Sequence, residues 1–302
     1  RGRPAMKTAE ALSRKLETLG DLRDVTRTMK ALSSSSVRQY EHAVDALGDY
    51  YRTVELGLQV VLRHLPAAPS TPRSVPRPER LAAVVFGTDY GLCGRFNHVL
   101  CDHAVAHLDA RGLPPENRLL LAVGGKAAGC LEQAGQSVQE CLFTPGSAEG
   151  ITETVSSILL TIDAWKAEHG AEQVWLYYNR HAGKARYQPE SLHLLPVDAC
   201  RFRDAEKAAW PSKVLPTFSM DAEALLSTLV RQYLFVALFR ACAESLASEH
   251  NARLVAMQAA GKNIDEAIEE TRTEHRRLRQ ELITAEILDV VTGYEASSGN
   301  PG

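Results

Sequence analysis

The sequence predicts a mixed α/β fold in which two long terminal helices form an antiparallel coiled coil around a small α/β domain. Three observations predict it: where proline is absent, how apolar residues recur at the ends, and how strand and helix patterns alternate in the middle. Proline is missing between Pro4 and Pro66 and again between Pro216 and Pro301, whereas twelve of the 14 prolines fall from Pro66 to Pro216. An interior proline removes a helical hydrogen bond and costs about 3 kcal/mol or more, so these gaps permit long helices.

The amino-terminal segment repeats Tyr40, Val44, Leu47, Tyr51, Val54, Leu58, Val61 and Leu65 in four- and three-residue steps, a heptad seam. Upstream, Leu22, Val25, Met29 and Leu32 form a second stripe. Two successive four-residue steps through Ser36 join the phases, which predicts a stutter with the helix running on through Ser33–Ser36. At the other end Ser219-Met220-Asp221-Ala222-Glu223 offers an N-cap and first-turn acid. The seam that follows runs His250, Leu254, Met257, Gly261, Ile264, Ile268, Thr271, His275, Leu278 and Leu282, with Gly293 as the expected stop.

Lys7 to Leu65 is 59 residues and Ser219 to Gly293 is 75. At about 1.5 Å per residue these are rods of roughly 90 and 110 Å, the longer overhanging its partner. Charge favours the pairing: residues 1–65 hold 11 Lys and Arg against 8 Asp and Glu, and residues 218–302 hold 8 against 13. The expected division is therefore 1–65, 66–217 and 218–302.

The middle segment opens with a proline-rich connector, Pro66 to Pro78. Leu81–Phe86, Leu119–Val123 and Val174–Tyr178 read as strands, and 97–110, 125–133 and 152–169 as helices. This alternation predicts a small Rossmann-like domain with a mostly parallel sheet.

Composition excludes several classes of function. With 302 residues, 45% hydrophobic, 24% charged and a net charge of -3, a dominant nucleic-acid-binding surface is not expected. No apolar run is expected to reach the roughly 20 residues of a membrane helix, and no export signal follows Arg1-Gly2-Arg3-Pro4. The six scattered cysteines read as reduced thiols.

No catalytic constellation emerges. The glycines at 87, 91 and 94 do not make GxGxxG, and Gly124-Gly125-Lys126-Ala127 lacks the Walker spacing, so both loops read as tight turns and no cofactor is expected. Cys93, His98, Cys101 and His103 fit no ordinary zinc spacing, and His250 and His275 read as packed in the seam.

Three stretches carry a resemblance to a known family. Ile283-Thr284-Ala285-Glu286-Ile287-Leu288-Asp289-Val290-Val291-Thr292-Gly293 is similar to the closing signature of the gamma subunits of F-type ATP synthases, with Tyr294 in place of the usual alanine. Glu244 to Met257 resembles that family's second motif, and Thr88-Asp89-Tyr90-Gly91-Leu92-Cys93-Gly94 its Ser-Asp-Arg-Gly-Leu-Cys-Gly loop. Tyr177-Tyr178-Asn179 and Leu194-Leu195-Pro196 fall where the family has comparable elements. Tyr90 replaces the usual arginine, and Lys30 to Tyr40 replaces a basic, alanine-rich stretch, departures that look like a divergent lineage such as the alternate bacterial F-type ATPases.

The resemblance implies a non-catalytic rotor shaft that turns inside an alpha–beta hexamer, beside epsilon and on a membrane c-ring. It would be peripheral, on the cytoplasmic face of the bacterial membrane. It further implies stator contacts at Arg279, Gln280, Thr284 and Glu286, and a foot or stator-loop role for Asp89, Tyr90 and Met29. The competing readings are a non-rotary coiled-coil scaffold and a Rossmann-like nucleotide-binding enzyme with helical arms.

Overall fold

The computed structural model describes residues 2–64, 80–181, 187–197, 202 and 216–298. The connector from Pro66 to Pro78 and the last seam residue, Leu65, lie outside the described residues. Helix α1 spans Gly2–His64 and passes unbroken through Ser33–Ser36. The elements that follow are β1 (Leu81–Phe86), α2 (Phe96–Ala110), a 3₁₀ turn, β2 (Arg118–Val123), α3 (Gly125–Gln133) and β3 (Val138–Leu142). Then come α4 (Gly150–His169), β4 (Gln173–His181), β5 (Tyr187–Leu195) and α5 (Ala222–Ser298). By packing, the chain divides into a central unit, Ser33–Arg253, and a terminal unit, Arg1–Leu32 with Leu254–Gly302, so each long helix contributes to both.

In the central unit the strands lie in the order β3-β2-β1-β4-β5. Every neighbouring pair is parallel except β4–β5. Strands β1 and β2 are buried at all six positions each, which is why they read as uninterrupted apolar runs. Leu81, Ala83, Val85, Leu120 and Ala122 face α2 and α3. Ala82, Val84, Phe86, Leu119 and Leu121 face the opposite way, toward Ile151, Val155 and Ile158 of α4 and Leu238, Cys242 and Leu246 of α5.

Two strands escaped the sequence reading. Strand β3 is a short edge of alternating polarity, and β5 contains Pro189, whose missing N–H is tolerated because β5 is also an edge.

In this unit α1 and α5 run antiparallel: Tyr40 lies against His250, Tyr51 against Tyr233 and Gly57 against Leu229, and the Tyr50 hydroxyl bonds Gln232 Oε1 at 2.8 Å. In the terminal unit Thr26 lies against Gly261 and Arg23 pairs with Asp265 at 4.0 Å, again an antiparallel order.

The expected stutter is absent. Leu12, Leu16, Leu19, Thr26, Ser33, Val37 and Tyr40 are buried or half-buried in a single four–three register that continues to Val61. Leu22, Val25 and Leu32, the stripe chosen by bulk, are 47%, 54% and 60% exposed. Small side chains explain the difference: Thr26 Oγ1 is 4.0 Å from where a Cβ on Gly261 would stand, so that seam is a close approach and not a leucine stripe.

All ten seam positions of α5 from His250 to Leu282 are buried or half-buried, and every described side chain from Ile283 to Tyr294 is exposed. Asp221 Oδ2 caps α5 by accepting from the N–H groups of Glu223 and Ala224. Gly293 does not stop the helix, which runs on to Ser298; nothing lies within 4 Å of its would-be Cβ, so it is an exposed interior position.

Helix α5 also contains an 18-residue stretch of mean hydropathy 1.3, long and apolar enough to cross a membrane by that measure, contrary to expectation. Such a run arises where α5 meets both the sheet and α1, and Tyr233, Val236, Leu238 and Phe239 are buried there.

Candidate functional site

The loop after β1 is built by close backbone packing. A Cβ on Gly87 would strike Ala127 Cβ and Asn97 Oδ1, and one on Gly124, at φ +109°, would sit 2.5 Å from the Thr88 backbone. These glycines let the two loops touch each other. Asn97 Oδ1 accepts from the Thr88 N–H at 3.1 Å, and its amide donates to Thr88 Oγ1 at 2.8 Å.

Asp89 is the loop's clamp. Its Oδ1 accepts from the Gly125 N–H at 2.9 Å, and its Oδ2 from the Thr144 N–H and hydroxyl at 2.8 and 2.7 Å. The first turn of α3, where a phosphate would bind, thus already holds an internal carboxylate. Tyr90 is left at the tip, 76% exposed, beside Leu92 at 57%.

Open α/β sheets bind ligands where neighbouring strands diverge at their carboxyl ends, here between β1 and β4. In this protein α5 fills that crevice. Ser245 Oγ donates to the carbonyl of Phe86, the last residue of β1, at 2.7 Å. Cys93 and Phe96 pack on Ala252, and Asn179 Nδ2 donates to the Phe96 carbonyl at 3.3 Å.

Arg253 reaches from α5 to the Gly91 carbonyl at 3.4 Å and pairs with Glu249 at 2.6 Å, both side chains being 6% exposed. Burial pushes the Glu249 carboxyl up to about 7, against the pull of Arg253. Tyr40 of α1 stacks on His250 at 5.5 Å and donates to the Pro145 carbonyl at 3.2 Å. Burial, then the Arg253 charge, lower His250 to about 4, so the ring is neutral at pH 7.

The structure therefore brings the loop Thr88–Gly94 and the first part of the second stretch, Glu244–Arg253, together, with Tyr40 beside them. Nothing in their spacing signalled that Ser245, Glu249 and Arg253 point at the loop. The cysteines and histidines considered for a metal do not converge: Cys93 faces α5, Cys101 Sγ contacts the Ala127 carbonyl, and His98 contacts Cys130 at 3.4 Å.

Arg279, Gln280, Thr284 and Glu286 stand elsewhere, exposed on α5 in the terminal unit, with the Thr284 hydroxyl bonded to its own helix at the Gln280 carbonyl. Met29 is half-buried on α1 in the same unit.

Fold and site define a coiled-coil protein with an inserted Rossmann-like domain whose ligand crevice is filled by its own helix. A family model described as ATP synthase matches residues 8–296, and the chain belongs to that family.

The ATP synthase gamma chain of Nitrosomonas eutropha is 25% identical over 301 residues, covering 96% of this chain and 100% of that one. That of Nautilia profundicola is 25% identical over 296 residues, covering 96% and 99%. Among solved structures, a rotor chain of the Euglena gracilis mitochondrial ATP synthase matches 92% of this chain and 99% of its own at 19% identity, TM-score 0.62. A central-stalk and c-ring structure of the Tetrahymena thermophila enzyme matches 78% and 99% at 19% identity, TM-score 0.56.

Proposed function

We propose that this chain is the central rotor shaft, the gamma subunit, of an F-type ATP synthase. It couples ion-driven rotation of a c-ring to ATP synthesis or hydrolysis in an alpha–beta hexamer. One observation carries the reading: past Leu282, α5 presents Ile283, Ile287, Leu288, Val290 and Val291 to solvent, at 46% to 72% exposure. A helix end this apolar, with no cover from its own chain among the described residues, fits a bearing supplied by surrounding subunits. Family membership and the names of the relatives support it.

In this reading the shaft is residues 1–65 with 218–302, and residues 66–217 form the foot on the c-ring beside epsilon. The chain has no catalytic site of its own, binds no nucleic acid and sits at the cytoplasmic face of a bacterial membrane. Arg279 and Gln280, with Thr284 and Glu286, meet hexamer loops as the shaft turns, and Met29 shares a foot or stator-loop role with Asp89 and Tyr90. At the loop, Asp89 holds Tyr90 out toward a neighbour.

The test is reconstitution with the alpha and beta subunits of the same complex. The chain should restore steady-state ATPase activity, and Arg279→Ala should lower it with assembly intact by gel filtration. Arg279→Lys should rescue poorly, because a planar guanidinium makes two directed bonds to a carboxylate and an ammonium does not. Wild-type turnover in Arg279→Ala and Gln280→Ala would remove the contact, and failure to restore activity would remove the rotor reading.

A further inference from the structure

In the central unit α2 and α3 pack on one face of the sheet and bring two thiols and an imidazole together. Cys130 of α3 lines an open pocket of about 400 Å³ with His98, Lys126 and Gln133. Its Sγ lies 3.4 Å from His98 Nδ1. Lys126 stands one helical turn before Cys130, so its ammonium leaves α3 on the same face. Cys101 of α2 comes from the buried side. Its Sγ lies 3.8 Å from the Ala127 carbonyl, and its side chain shares a hydrogen bond with that of Cys130.

The two sulfurs are unlike. Cys130 is half-buried and reaches the pocket, beside an imidazole that can take its proton and a lysine cation that favours the thiolate. Cys101 is closed off from solvent; burial first, and then Cys130, hold its thiol protonated. A reachable thiol backed by a second, sheltered one is the arrangement in which oxidation ends in a disulfide and goes no further up the ladder. Cys141 shows the contrast. It is exposed on β3 with Asp89 and Glu132 as its charged neighbours, and burial, then those acids, push its thiol up.

We propose that Cys130 is a peroxide-reactive thiol and Cys101 its resolving partner. Cys130 passes its proton to His98, and the thiolate attacks the hydroxyl oxygen of a hydroperoxide. The O–O bond breaks, the sulfur is oxidised to a sulfenic acid, and the other oxygen takes the proton back from His98 and leaves as water or an alcohol. The Cys101 sulfur then displaces the sulfenic hydroxyl, which departs as water with the Cys101 proton, and a disulfide joins α2 to α3. Two electrons pass from the thiols to the peroxide. The first turn of α3 is the one that Asp89 holds, so the bridge braces the helix beneath the loop Thr88–Gly94. The inference does not depend on the rotary reading.

The test exposes the full chain to hydrogen peroxide, digests it without reduction and reads the products by mass spectrometry. The expected product is a Cys101–Cys130 disulfide. Cys101→Ser should instead accumulate a sulfenic acid at Cys130 that dimedone captures, and His98→Gln should slow the reaction about tenfold or more. A wild-type chain that forms no Cys101–Cys130 bond, dimedone capture at Cys141 as fast as at Cys130, or an unchanged rate in His98→Gln overturns the proposal.

Discussion

In the central unit the seam between α1 and α5 is filled by bulk, with Val54 and Leu58 against Tyr233 and Phe202, and Leu229 against Gly57. Among the described side chains of the terminal unit the buried positions are Leu12, Met257, Ile268 and Thr271, with Thr26 drawn up to Gly261. The first seam anchors the helices to each other beside the sheet. The second holds them by close approach, with charged residues such as Arg23 and Asp265 at its margin. The same heptad geometry is thus filled in two ways: by aromatic and aliphatic bulk in the central unit, and by a mixture of aliphatic and small side chains in the terminal unit.

The strongest way to break either seam is proline. Val54→Pro in the central unit and Ile268→Pro in the terminal unit should each cost about 3 kcal/mol or more and lower helicity. Circular dichroism checks this, and unchanged helicity with intact assembly would refute the paired-helix account.

Truncation should separate bulk from exposure. Leu58→Ala, at a residue 1% exposed, should cost about 2 to 5 kcal/mol in urea unfolding. Leu288→Ala, at 59% exposed, should stay within about 0.5 kcal/mol. Equal losses would mean that the end of α5 is covered in the isolated chain.

The polar cluster beside the central seam should make stability depend on pH through two opposed groups. Glu249, raised by burial to about 7, holds its proton longer in the folded state, so its contribution is lost as pH rises from 4.5 to 7. His250, lowered to about 4, contributes above pH 6.5 and loses that contribution as pH falls to 4. Glu249→Gln should therefore unmask stability that rises with pH, and His250→Gln stability that falls with it. Each slope is at most about 1.4 kcal/mol per pH unit. Urea titrations across pH 4 to 7.5 read both slopes, and slopes of the same sign would contradict the assignment.

The smallest expected effect sharpens the contrast between the seams. Gly261→Ala brings a Cβ 4.0 Å from Thr26 Oγ1, an ordinary contact, and should stabilise by about 0.4 to 1 kcal/mol. Gly57→Ala meets Leu229 at 3.1 Å and should gain less. Thermal melts compare them.

Much of this architecture was legible in the sequence because its signals are long. Proline-free ends, the ten-residue seam of α5 and the apolar run Leu81–Phe86 each repeat one message many times. The register of α1 upstream of Tyr40 was misread because size was taken as the mark of burial, whereas Ser33 and Thr26 face inward and Leu22, Val25 and Leu32 outward. Strand β5 was hidden by Pro189 and β3 by its mixed polarity, since edges need no apolar run. Of the candidate site, the loop and the α5 stretch were visible as separate motifs. Their meeting through Ser245, Arg253 and Asp89 depends on side-chain direction, which spacing does not encode.

The central claim is that this chain turns. The most direct measurement immobilises the alpha–beta hexamer reconstituted with it and attaches a bead through the exposed Cys141. On addition of ATP, the account predicts sustained rotation of the bead in one direction, slowed in Arg279→Ala. ATP hydrolysis at full rate with a bead that only fluctuates would contradict it.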